Sequence, residues 1–233
     1  MHSLNQLAHK YKTDKVTHGF IDVYDKEFSK FRHESFNILE IGVFFGASIK
    51  MWDEYFSKAN VFGLDTFEGK QGNGKVFANP DKYYNEWMMS KNNDNSSNKI
   101  HLMKLDQSNA DDLEKFVKYC NERNIKFKII IDDGSHLMKD QQLSFFHLFE
   151  LVEEGGIYVM EDIHTSDQPG YDVFEDKSNS TKSLFLNMKN GNSEFKSVYI
   201  QNNQAKCIEI SSQIKDIEHF FIKKGSETLI IRK

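Results

Sequence analysis

The stretch FNILEIGVFFGAS, residues 36–48, decides how the rest of the chain is read. Its first part, FNILEIGVF at 36–44, is a short continuous apolar run, the pattern of a strand buried on both faces. The run breaks at Gly42 and Gly46, and a helical pattern follows at once. In SIKMWDEYFS (48–57), Met51, Trp52, Tyr55 and Phe56 recur at helical spacing behind Ser48. A glycine-rich turn between strand and helix lets a ligand approach the backbone closely.

The same alternation continues along the chain. Strands are expected in NVFGLDTF (60–67), IHLMKLDQSN (100–109), FKIIID (127–132), GIYVMED (156–162) and ETLIIRK (227–233). Helices are expected in DDLEKFVKYCNER (111–123), QQLSFFHLFELV (141–152, ended by EEGG) and TKSLFLNMKN (181–190), with a short aromatic helix around Tyr83, Tyr84 and Trp87. KSVYIQNNQAKCIEIS (196–211) reads as two strand-like pieces. Segments 68–75, 90–99 and 163–180 read as loops by their composition, and the two prolines, Pro80 and Pro169, fall in loops. Strand–helix alternation of this kind gives an α/β, Rossmann-like fold with a mostly parallel sheet and right-handed crossovers. In such sheets ligands bind at the carboxyl ends of the strands.

Bulk properties narrow the function. The 233 residues suit one α/β domain spanning 1–233, with 1–35 as an N-terminal helical or lid segment. A net charge of −5 and the lack of a long basic block argue against binding a nucleic-acid backbone. Two cysteines, Cys120 and Cys207, lack metal-type spacing and make a disulfide framework unlikely, so a reducing compartment is expected. No apolar run approaches the roughly 18 residues of a membrane span. These features together lead to the expectation of a cytoplasmic protein without a membrane span.

Each strand end carries chemistry. After the first strand stand Glu40, Gly42 and Gly46; Asp65 ends the second, where a carboxylate can accept hydrogen bonds from ribose hydroxyls. The alternative is a tight turn with a solvated Asp. The pattern Glu-x-Gly-x-x-x-Gly is not the Gly-x-Gly-x-x-Gly of NAD sites, and Phe44 stands where a middle glycine would. A carboxylate two positions before the first glycine suits a cofactor bearing an amino group, as S-adenosylmethionine does. Asp106 and Gln107 in LDQSN suit the adenine amino group; helix capping by Asp106 or Ser108 is the alternative.

The fourth and fifth strands end in paired acids. IIIDDGSH (129–136) supplies Asp132, Asp133 and His136, and GIYVMED supplies Glu161 and Asp162. If these strands are neighbours they lie about 4.8 Å apart, and four carboxylates crowd one edge. Such crowding is resolved by a divalent cation, and oxygen-only ligands suit Mg²⁺, Mn²⁺ or Ca²⁺. His136 is placed to take a proton from a metal-bound hydroxyl. His164 either lines the site or is merely exposed.

LEIGVFFGAS, IIIDDGSH, GGIYVMEDIHTS and the N-terminal KTDKVTHGFIDVY together resemble the class I S-adenosylmethionine-dependent methyltransferases. Within these they resemble the metal-dependent sugar O-methyltransferases related to the mycinamicin and macrocin enzymes, in order over 11–165. The resemblance implies a seven-stranded sheet with an antiparallel last strand. It implies Mg²⁺ (or Mn²⁺) on Asp133, Glu161 and Asp162, with His136 as general base. It also implies Glu40, Gly42 and Ser48 around the methionine part of S-adenosyl-L-methionine, Asp65 at ribose, Asp106 and Gln107 at adenine, and Asp132 near the amino group. Phe44 replaces the family's usual glycine. The segment 13–20 is expected to fold over the site, with Lys15 or His18 facing cofactor or acceptor, and the 163–180 loop with Tyr171 is the candidate acceptor wall.

The implied activity is O-methylation of a sugar-type small molecule, in surface-polysaccharide or natural-product biosynthesis, by a homo-oligomer. Rivals are an Fe(II)/2-oxoglutarate hydroxylase using His136, Asp133 and His164, since the family also contains cephalosporin hydroxylases, a non-catalytic cofactor-binding protein, and an NAD(P)-dependent oxidoreductase.

Overall fold

In the computed structural model, residues 2–69, 74–77, 81–91, 99–171, 179–191, 195–222 and 225–233 are described. Three helices come first: α1 (Leu4–Tyr11), α2 (Lys15–His18) and α3 (Phe20–Phe28). A capping box starts α1: the Ser3 hydroxyl accepts from the Gln6 amide, and the Gln6 side chain accepts from the Ser3 amide. There follow β1 (Asn37–Ile41), α4 (Ala47–Tyr55), β2 (Asn60–Asp65), α5 (Lys82–Lys91), β3 (Ile100–Lys104), α6 (Ala110–Glu122), β4 (Phe127–Asp132), α7 (Met138–Leu148) and β5 (Val152–Met160). The chain closes with α8 (Thr181–Lys189), α9 (Gln204–Gln213), β6 (Asp216–Phe221) and β7 (Glu227–Arg232). The seven strands form one sheet in the order β3-β2-β1-β4-β5-β7-β6. β7 runs antiparallel to both its neighbours, and the β1–β5 pairs are parallel.

The pleat sorts side chains to two cores. Leu39, Ile41, Ile130, Tyr158 and Met160 face a layer that holds Phe116, Phe145, Phe149 and Phe185. Ile38, Ile129, Ile131 and Val159 face the other, with Tyr24 and Phe28 of α3 and Trp52 of α4. Burial of a side chain of this size contributes about 2 kcal/mol, so continuous apolar strands belong at the centre of such a sheet.

Three expectations are corrected. The segment 196–211 is not two strand pieces: α9 occupies Gln204–Gln213. Cys207 and Ile210, three apart, are buried, while Ile208 is exposed; the run CIEI looked alternating but packs with helical spacing. The edge strand β6 escaped notice because only Ile217 of its six residues is buried. EEGG lies within β5 rather than ending a helix; the β4–β5 register shifts between Phe127 and Ile129, a bulge that absorbs these residues. Pro80 and parts of the 68–75, 90–99 and 163–180 loops lie outside the described residues. No helix among the described residues is long and apolar enough to cross a membrane.

Candidate active site

The alternation that sorts the core also sorts the charges beyond the strand ends. Glu40 lies two residues past Ile38, Asp133 two past Ile131, and Glu161 two past Val159, so all three carboxylates emerge on the face covered by the N-terminal helices. Backbone hydrogen bonds carry the pairing past the strands: the Asp133 amide donates to Ile41 O at 3.0 Å and the Glu161 amide to Asp132 O at 2.9 Å. Into this cluster α2 sends Lys15. Its ammonium lies 3.1 Å from Glu40 Oε1, 2.5 Å from Asp133 Oδ2 and 2.7 Å from Glu161 Oε1, and its side chain is 1% exposed. The Tyr24 hydroxyl of α3 donates to the same Glu161 oxygen. Burial would lower the Lys15 pKa, but Asp133, Glu161 and Glu40 hold it well above its ordinary value. Burial, reinforced by Asp133, pushes the Glu161 pKa upward, and Lys15 pulls it back toward the ionised form.

His136 and Asp162 sit beside this cluster. Asp133, His136 and Asp162 each offer a ligand atom, and these atoms lie within 4.8 Å of one another. His136 Nε2 is 3.9 Å from Asp133 Oδ1 and 3.8 Å from Asp162 Oδ2. Both His136 (φ 61°) and Asp162 (φ 55°) are left-handed, a conformation that costs an ordinary residue about 1 kcal/mol and clusters at functional sites. The Thr165 hydroxyl fastens the two together, 2.8 Å from the carbonyl oxygens of both. Burial raises the Asp162 pKa. His164 Nδ1 is 3.6 Å from Asp162 Oδ1.

A cleft of about 550 Å³ opens over β1, β2 and β3, lined among others by Gly42, Phe44, Ser48, Asp65, Asp106 and His136. Gly42 (φ 90°) has no room for a side chain: a Cβ there would stand 2.0 Å from the Asp133 carbonyl oxygen. At Gly46 (φ 74°) a Cβ would stand 2.1 Å from the ring of Tyr83. The two glycines thus admit parts of the protein itself, one the β4 end and the other an α5 ring. Phe44 adopts φ 51°, the conformation for which glycine is the usual residue, and its amide donates to Asp65 Oδ2 at 2.8 Å. The turn therefore keeps its left-handed shape, with the Phe44 ring packed on Phe45 and Phe77.

The expected cofactor residues divide into two groups. Glu40 accepts from the Ser48 hydroxyl at 2.7 Å, and both stand at the β1 turn. Asp65 and Asp106 line the cleft, although Asp65 Oδ1 also accepts from the Phe67 amide and Asp106 Oδ1 from the Ser108 amide. Gln107 lines the cleft too but has its amide tied to the protein, and Asp132 turns inward. Gln107 Oε1 accepts from the Ser135 amide at 2.8 Å, and its Nε2 donates to Ser144 Oγ at 3.2 Å and Asp132 Oδ1 at 3.4 Å. The Tyr158 hydroxyl donates to Asp132 Oδ2, and burial pushes the Asp132 pKa up to about 7. Adjacent residues point to opposite faces, which is why Asp132 goes to the α7 side and Asp133 to the site. His18 contacts Ser226, its Nδ1 3.0 Å from the hydroxyl, and lies near enough to Asp162 to favour its carboxylate form. Tyr24 and the precise place of Lys15 were missed by the sequence reading; the step of two from each buried apolar strand residue to a carboxylate was the available signal.

A divalent cation fits this donor set on the chemistry. One ammonium faces Glu40, Asp133 and Glu161, with Asp162 alongside. The buried atoms His136 Nδ1, Asp162 Oδ1 and His164 Nδ1 find no hydrogen-bond partner among the described residues.

The sheet order, the reversed β7 and the glycine turn over the cleft define the class I methyltransferase fold. Over 100% of its length the chain superposes, at a TM-score of 0.70 and 22% identity, on 54% of the MycE methyltransferase of the mycinamycin biosynthetic pathway, a structure that holds Mg, SAH and mycinamycin VI. By sequence it resembles sugar O-methyltransferases. It is 32% identical over 177 residues to the 8-demethyl-8-(2-methoxy-alpha-L-rhamnosyl)-tetracenomycin-C 3'-O-methyltransferase of Streptomyces olivaceus, covering 72% of this chain and 38% of that protein. To the L-olivosyl-oleandolide 3-O-methyltransferase of Streptomyces antibioticus it is 32% identical, covering 72% and 39%. To the mycinamicin VI 2''-O-methyltransferase of Micromonospora griseorubida it is 30% identical, covering 72% and 38%. The chain thus spans under two-fifths of the length of these curated relatives. No family model matches it.

Proposed function

We propose that this chain carries the cofactor- and metal-using site of an O-methyltransferase that acts on a hydroxyl of a sugar or glycosylated small molecule, with S-adenosylmethionine as methyl donor. The carrying observation is the Asp133–His136–Asp162 group at the end of a cleft walled by the β1 turn. The relatives support the acceptor class, since those named above modify rhamnosyl and olivosyl groups.

Glu40 and Ser48 would meet the amino-acid part of the donor and Asp65 its ribose. Asp106 is the remaining candidate for adenine, because Gln107 is occupied as a strut between β3 and the β4 turn. Asp133 and Asp162 would hold the cation, with Glu161 behind them on Lys15 and Tyr24. A bound divalent cation supplies Lewis acidity that makes an acceptor hydroxyl easier to deprotonate. His136 takes that proton on Nε2, which faces the gap between the two carboxylates. The Thr165 clamp fixes the His136 backbone that carries the imidazole while the acceptor oxygen lines up with the methyl group. An iron oxygenase triad needs two imidazoles and one carboxylate, whereas the grouped donors here are one imidazole and two carboxylates.

Calorimetric titration with S-adenosylhomocysteine and Mg²⁺, repeated in EDTA, tests the reading. Micromolar binding of the nucleoside and a separate Mg²⁺ event that disappears in Asp162→Asn are expected. A chain that binds no S-adenosylhomocysteine is not a methyltransferase, and iron with 2-oxoglutarate is the next pair to titrate.

A further inference from the structure

Lys15 touches the acidic ends of three strands at once, Glu40, Asp133 and Glu161, and the methyl-transfer chemistry above gives its charge no task. It comes from α2, a helix of four residues, yet its side chain is as buried as the core. An ammonium is costly to bury and is found in such a place only when fully paired. Here it faces Glu40 from β1, Asp133 from the β4 end and Glu161 from the β5 end, and Tyr24 completes the shell on Glu161. The nearest oxygens of all three carboxylates lie within 3.1 Å of one nitrogen. Three carboxylates drawn from three strands would otherwise repel one another and splay the strand ends apart.

We propose that Lys15 is a built-in counter-cation and a positioning residue: it holds Glu40, Asp133 and Glu161 together in the absence of metal, so that the cation site is assembled before the cation arrives. This rests on the metal-dependent reading of the site. Lys15 occupies Asp133 Oδ2 and leaves Asp133 Oδ1 facing His136. One side of the Asp133 carboxylate is thereby committed to the protein and the other left to the ligand. Because α2 joins α1 and α3, the same contact ties the N-terminal helices to the site and makes them part of its wall.

The proposal separates Lys15 from an ordinary core residue by its charge. Thermal unfolding of the full chain is followed in EDTA and in Mg²⁺ for the wild type, Lys15→Met, Lys15→Arg and Lys15→Met/Glu161→Gln. The wild type is expected to lose little Tm in EDTA. Lys15→Met keeps most of the apolar stem, and in EDTA its Tm is expected to fall by about 10 °C, the order of shift for uncompensated buried charge in a domain of this size. Mg²⁺ is expected to restore at least half of that loss, because the metal can supply the missing positive charge. Removing one negative charge in the double variant should restore a similar share without metal, and Lys15→Arg should lie closer to wild type than Lys15→Met.

A loss in Lys15→Met that neither Mg²⁺ nor Glu161→Gln repairs would make Lys15 a packing residue and overturn the proposal, as would an unchanged Tm in EDTA. S-adenosylhomocysteine titration of the same wild-type preparation keeps the two readings apart. If the nucleoside binds while Lys15→Met ignores metal, only the role of Lys15 falls. If it does not bind, the methyltransferase reading falls, and the Tm series still decides whether Lys15 balances charge.

Discussion

The ends of β1, β2 and β3 and the ends of β4 and β5 belong to one sheet edge but are built on opposite principles. At the first, nearly every polar group already has a partner in the protein. Asp65 receives two backbone amides, Asp106 one, and Gln107 is used at both ends of its amide. At the second, negative charge is in excess: Asp133 and Glu161 share one lysine with Glu40 of β1, Asp162 stands beside them, and His136 Nδ1 and Asp162 Oδ1 have no hydrogen-bond partner among the described residues. The first region is a shaped cleft that is complete without ligand. The second is electrostatically unfinished, the condition in which a cation is held tightly. A rigid cleft favours positioning of a donor; an unsatisfied charge cluster favours chemistry.

The largest expected effect lies in the second region. His136→Ala should lower methyl-transfer turnover by about 10²–10⁴-fold, the usual contribution of a general base, and leave S-adenosylhomocysteine affinity within a few-fold of wild type. Turnover near the wild-type rate would remove His136 from the mechanism and leave the cluster as a cation site alone.

The next effect should appear in the first region, in stability. Gln107→Ala removes the acceptor of the Ser135 amide and the donor to Asp132 and Ser144, so denaturant unfolding should show a loss of about 1–3 kcal/mol. If the variant instead keeps its stability and loses S-adenosylhomocysteine affinity by tenfold or more, Gln107 reaches the ligand and the contrast between the regions is lost at this residue.

The smallest effect should be at Phe44. Glycine there relieves left-handed strain of about 1 kcal/mol but adds roughly 0.5–1 kcal/mol of chain entropy to the unfolded state. Phe44→Gly should therefore unfold within about 1 kcal/mol of wild type and bind S-adenosylhomocysteine much as before. A large change in affinity would show that the Phe44 ring, packed on Phe45 and Phe77, forms part of the binding surface.

Much of this edge was legible in the amino-acid order. The apolar run before Gly42 is β1, the runs before Asp65, Asp133 and Glu161 are β2, β4 and β5, and the acidic pairs do stand on neighbouring strands. Less legible was the C-terminal part. CIEI in α9 mimics alternation, and β6 buries too little for a pattern to form. An edge strand is specified by its partner more than by its own residues, and among the described residues β6 pairs only with β7.

Local order determined the strands, the glycine turn and the residue types at each strand end, because periodicity and turn chemistry act over a few neighbouring residues. It also fixed the directions of Asp132 and Asp133, since alternation by two sends them to opposite faces. Tertiary structure alone decided which charges meet. Lys15 and Glu161 are 146 positions apart and pair at 2.7 Å only because the N-terminal helices cover one face of the sheet. The Coulomb energy of a pair depends on its distance and surroundings in space, and chain separation carries neither.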